Sequence, residues 1–108
     1  MPTACIDYRG RSVLVPLDVA AHVAQRHKEI EEHLGKICDV LESPDAVYFR
    51  ERTDSYFFYK LGVLSGKLAQ NYMVVIVKYS GASGVVRTAY STSRPATGDS
   101  LIYVQRRR

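Results

Sequence analysis

The chain carries three histidines, His22, His27 and His33, all in one stretch of its first half. Imidazole is the side chain whose charge changes nearest neutral pH, so histidines are the first place to look for proton transfer. His22 and Arg26 are four positions apart; on a helix they share a face. At about 100° per residue, His27 falls on the flank of that helix beside Val23. The pattern His22-x-x-x-Arg26-His27 can therefore aim two imidazoles and a guanidinium at the rim of a sheet. The plainer reading is a solvated arginine with surface or core-edge histidines. His33, over Glu29 and Ile37, reads as surface.

A second group lies in strand-like sequence. Arg50, Arg52, Lys60, Lys78 and Arg87 alternate with aromatic and aliphatic residues. Lys60 shares a face with Tyr56 and Phe58, and Lys78 with Val74 and Ile76. Cations mixed with rings suit phosphates and splayed bases; an ordinary polar face over an aromatic core would look the same. The segment Arg87-Thr88-Ala89-Tyr90-Ser91-Thr92-Ser93-Arg94 is dense in hydroxyls. Thr88 and Tyr90 point the same way on a strand and can donate to a phosphate, although both are also favoured strand formers.

Other chemistries lack their residues. Cys and His are scattered where a zinc site needs them clustered. There is no Walker-type phosphate loop, no dinucleotide fingerprint and no Gly-x-Ser-x-Gly elbow. The strands hold too few acids for a two-metal nuclease. The expectation is a protein with no metal and no other cofactor.

The elements that must position these residues follow from periodicity. Residues 4–8 and 12–15 flank Arg9-Gly10-Arg11 as a short hairpin, with Gly10 free to take a positive φ. Apolar residues at Val19, Val23, Ile30, Leu34, Ile37 and Leu41 recur at gaps of four, three and seven, the stripe of an amphipathic helical region. Asp18 is the expected N-cap, a break at His27-Lys28 would split the region, and Ser43-Pro44 ends it. Strands are expected at 46–52, 56–61, 72–79 and 85–92. Met73-Val74-Val75-Ile76-Val77, apolar on both faces, is the central one. Residues 93–108 read as a loop containing Pro95 and Gly98, a short strand at 101–104 and a frayed basic tail.

Length and composition bound the rest. With 108 residues, 46% hydrophobic and 24% charged, the chain is one globular domain, 1–108. The net charge of +4 is uneven. Residues 1–44 hold five Lys/Arg against seven Asp/Glu, and residues 45–108 hold ten against four. A basic half rich in aromatics suits a phosphate-bearing partner. Two cysteines, Cys5 and Cys38, are few for a disulfide scaffold and read as reduced, buried thiols. The first residues carry neither a basic nor an apolar targeting region, and no run is long enough to span a bilayer. The expected setting is the cytoplasm, with no membrane partner.

Taken in order, these pieces resemble a known family. Val15-Pro16-Leu17 leads into His22-x-x-x-Arg26-His27, and Ser43-Pro44-Asp45-x-Val47 follows. Then come Tyr56-Phe57-Phe58-Tyr59-Lys60, the run 72–78, and Val86-Arg87-Thr88-Ala89-Tyr90. Over residues 13–95 the chain is similar to the phage- and toxin-associated nuclease-like domains of the barnase–EndoU–colicin–RelE superfamily. The resemblance implies an α+β fold, with an N-terminal amphipathic helical region packed on a four-stranded antiparallel meander sheet. It also implies a toxin-like, metal-independent endoribonuclease that cleaves RNA by 2′-hydroxyl attack. Carried over by match, the catalytic positions are His22, Arg26, His27, Thr88 and Tyr90, and Lys60, Lys78 and Arg94 would bind RNA. The implied partners are RNA and an antitoxin or immunity protein. The alternative is a non-catalytic RNA-binding or protein-interaction module on the same fold.

Overall fold

The computed structural model describes residues 3–95 and 99–105. The elements are β1 (Thr3–Ile6), β2 (Ser12–Val15), α1 (Leu17–Arg26), a 3-10 segment (Lys28–Lys36), α2 (Ile37–Glu42), β3 (Ala46–Arg50), β4 (Ser55–Lys60), β5 (Tyr72–Ser80), β6 (Ser83–Thr92) and β7 (Ser100–Val104). They form a seven-stranded sheet in the order β1-β2-β6-β5-β4-β3-β7. The strand that is apolar on both faces, β5, lies in the middle, as burial on both sides requires.

This corrects the expected four-stranded antiparallel meander. Strands β3 to β6 pair antiparallel in succession, but they are only the centre of a wider, mixed sheet. The β1–β2 hairpin joins it through a parallel contact, with Ser12, Val13 and Leu14 beside Ser83, Gly84 and Val85. At the other edge β7 pairs with β3. The helical region is also smaller than expected. At φ −128°, ψ 62°, His27 leaves the helix and closes it through its N–H to the Val23 carbonyl, so 3-10 turns separate two short α-helices. Pro16, not Asp18, is the N-cap; Asp18 lies in the first turn, where its charge still favours the helix dipole. Gly98 and the basic tail 106–108 lie outside the described residues.

The helices cover one face of the sheet. There Val23, Ile30, Ile37, Val40 and Leu41 close over Phe58, Met73, Val75 and Val77. On the opposite face Phe57, Tyr59 and Val74 are buried among Tyr48, Tyr72, Ile76 and Tyr90. The Arg50 guanidinium stacks on Phe57 at 4.2 Å and is held by Asp99 through bonds of 2.9 and 3.1 Å. Among the described residues no helix is long and apolar enough to cross a membrane.

Two ties fix the N-terminal hairpin. The first corrects the reading of free thiols: Cys5 on β1 and Cys38 on α2 form a disulfide, with Cα atoms 5.2 Å apart. The second is Asp7, whose buried carboxylate accepts from the Arg9 and Arg11 N–H groups, Arg11 Nε and the Tyr79 hydroxyl. Tyr79 lies on β5, so its ring must pass over β6. Gly84 makes this passage: a Cβ there would stand 2.8 Å from the Tyr79 ring.

Both ties are measurable. A bond between residues 33 apart in sequence should stabilise the fold by roughly 3–4 kcal/mol through the entropy of the unfolded chain. Cys38→Ser should therefore lower the melting temperature by many degrees, and reductant should do the same to the wild type only. For Asp7, burial works against the carboxylate, but the bonds from Tyr79, Arg11 and Arg9 outweigh it and hold its pKa below the usual 3.8. Its contribution is thus present above that value and is lost as pH falls through the lowered one. Asp7→Asn should be less stable at pH 7, with the gap to wild type closing in acid; a gap independent of pH would contradict this.

Candidate active site

The site is made where a strand edge is left open. β2 pairs with β6 only as far as Val85, and Pro16 then ends it. Beyond Val85 no described strand lies on that side of β6, and α1 packs there instead. Ten residues of helix rise about 15 Å, and β6 from Val85 to Tyr90 covers about 16 Å. The helix therefore ends beside Tyr90.

At that end five side chains meet. The His27 ring lies 6.0 Å from the Tyr90 ring and 6.4 Å from His22, measured between centroids. Glu29, in the first turn of the 3-10 segment, brings Oε2 to 3.9 Å from His27 Nδ1. The same oxygen accepts from Ser91 Oγ at 3.4 Å. The turn at His27 brings this about, because it redirects the chain and returns Glu29 towards β6.

Tyr90 connects the edge to the face without helices. Burial, first, and then Tyr59, to which it is hydrogen-bonded, push its phenol up to about 12. It therefore remains a protonated donor at neutral pH. Thr88, two residues back on the same face and opposite Ile76, has a buried hydroxyl oxygen with no partner among the described residues. A buried polar group without a partner calls for a functional or structural reason.

The expected residues thus separate. His22, His27 and Tyr90 come together, and Thr88 follows Tyr90 on its strand. Arg26 is exposed at the helix end and makes no ion pair among the described residues. Lys60 is elsewhere. It faces the helices, paired in register with Met73, and its ammonium binds the Ser43 carbonyl and hydroxyl at 2.5 and 3.2 Å. It satisfies the end of α2 and is no part of the site. Lys78 is exposed about four residues, roughly 13 Å, along β5 from the rung of Tyr90. Arg94 is exposed just beyond β6. His33, read as surface, bonds Ser65 Oγ at 3.1 Å. Glu29, Ser91 and Tyr59 were missed. Glu29 was named only as a neighbour of His33, and the break at His27 brings it, still exposed, beside His27 and Ser91.

Among the described residues no three His, Cys, Asp or Glu side chains are grouped to hold a metal ion. Compared with known proteins, the chain matches no family model, no curated protein and no solved structure.

The state of Tyr90 gives a test by titration. Its folded pKa is raised, so between about pH 10 and 12 the folded chain holds a proton that the unfolded chain has lost. Stability should fall as pH rises through that window, and Tyr90→Phe should reduce the fall. An unchanged alkaline melting profile in Tyr90→Phe would show that the phenol titrates as if in water.

Proposed function

We propose that the chain is a metal-independent endoribonuclease of the toxin-like kind it resembles. The observation that carries this reading is the contact of His22, His27 and Tyr90 at the open edge of β6. Cleavage of RNA without a metal needs a base, an acid and cations around the phosphorane. The base takes the 2′-hydroxyl proton and the 2′-oxygen attacks phosphorus. The bond to the 5′-oxygen breaks as the acid gives that oxygen a proton, leaving a 2′,3′-cyclic phosphate. The two imidazoles serve as base and acid near neutral pH, and Glu29 orients His27. Arg26, exposed and in no ion pair among the described residues, holds the phosphate through its planar fork. Tyr90 and Thr88 donate to the remaining oxygens.

An RNA substrate would put the action in the cytoplasm. The Cys5–Cys38 bond then requires that the chain has met an oxidising environment, since cytosolic thiols are kept reduced. An antitoxin or immunity protein remains a proposed second partner.

The test separates catalysis from packing. His27→Ala should slow cleavage roughly 10²–10⁴-fold by removing a proton-transfer group. Arg26→Lys should also slow it, because an ammonium does not reproduce a bidentate contact. For exposed Arg26 the melting temperature should shift little, and wild-type cleavage should persist in EDTA. Full activity in both variants would show that the cluster is packing alone.

A further inference from the structure

The rings at the site do not stop at Tyr90. Tyr90 is hydrogen-bonded to Tyr59, and Tyr59 meets Tyr72 at 5.9 Å and Tyr48 at 5.4 Å, both edge to face. A continuous aromatic path thus runs from His22 across four strands of the sheet, β6, β5, β4 and β3. Tyr59 is buried, while Tyr48 and Tyr72 are only partly buried. Tyr59 therefore braces rings whose outer sides remain accessible. Their face is the one the helices leave uncovered.

Tyr72 is the member best placed for a ligand. It starts β5 opposite Thr92 and is the diagonal neighbour of Tyr90 on the same face. Farther along the same two strands, Lys78 and Arg87 are exposed and without ion-pair partners among the described residues. Arg94 stands exposed at the near end. Rings flanked by exposed cations match the alternation of base and phosphate in a polynucleotide.

Resting on the ribonuclease reading, we propose that Tyr72 is a base-stacking residue and that the substrate is single-stranded RNA laid along β5 and β6. A duplex hides its base faces within its own stack, so this platform discriminates against it. Tyr72 positions the strand; the proton transfers belong to the histidines. Lys78 takes a phosphate of the same strand.

The experiment uses the whole protein and a fluorescent single-stranded 2′-O-methyl octanucleotide, which cannot undergo 2′-attack. Binding is read by anisotropy, beside the same sequence as a duplex. The single strand should bind more tightly than the duplex. Tyr72→Ala should weaken it roughly 5- to 150-fold, the range for loss of one stacked base, whereas Tyr72→Phe should keep most of the affinity. Lys78→Ala should lower the salt dependence by about one ion. Equal affinity for duplex, or an unaffected Tyr72→Ala whose melting temperature matches wild type, would overturn the proposal. The two readings fail separately. Tyr72-dependent binding without cleavage of unmodified RNA supports the stacking site and sinks the catalytic assignment. Cleavage indifferent to Tyr72 does the opposite.

Discussion

The short parallel contact between β2 and β6 is the constraint on which the site depends. Only Ser12, Val13 and Leu14 take part, and Pro16 then removes a donor and ends the strand. Had β2 run on, its backbone would have covered the β6 edge as far as Tyr90. Instead the chain turns into a helix of nearly the length of the strand left open. The end of that helix, with two histidines, is thereby delivered to the hydroxyl-rich end of β6. The edge that would otherwise invite another strand is occupied by side chains able to transfer protons.

Holding so short a contact in place calls for help from outside it. The disulfide joins β1 to α2 and so encloses α1 and the 3-10 segment in one covalent loop. From the other side Asp7 reaches Tyr79 on β5 across Gly84. A carboxylate with a buried side chain and four donors is costly to leave unpaired, so the hairpin is pinned in one register.

The sequence was legible where periodicity and turn chemistry speak for themselves. The two-faced run 73–77 named the central strand, and Gly10 took its positive φ of 84°. The possible break at His27-Lys28 was visible as a weak point. What was not legible depended on long-range pairing. Nothing in Ser12-Val13-Leu14 says that it pairs with residues some seventy positions later, and a five-residue strand after a loop does not reveal that it joins β3. Lys60 looked like a phosphate ligand because alternation gives a side chain's face but not what lies above it. Above it lies the end of α2, whose carbonyl it binds. The cysteines were misjudged for the same reason, since their meeting at 5.2 Å follows from the path of two elements, not from their number.

On this account the fold has two halves with one junction. Proton-transfer groups sit on the helical side of the β6 edge, a braced set of tyrosines covers the face beyond it, and Tyr90 belongs to both. The central claim is that the junction cleaves RNA through its own 2′-hydroxyl. The most direct measurement is the reaction of the purified protein with two oligonucleotides of one sequence, one all RNA and one with a single 2′-deoxy position at the mapped cleavage point. The account predicts cleavage of the first to a 2′,3′-cyclic phosphate end and an intact bond at the deoxy position in the second. Equal cleavage of both at that point, or a 5′-phosphate product, would contradict it.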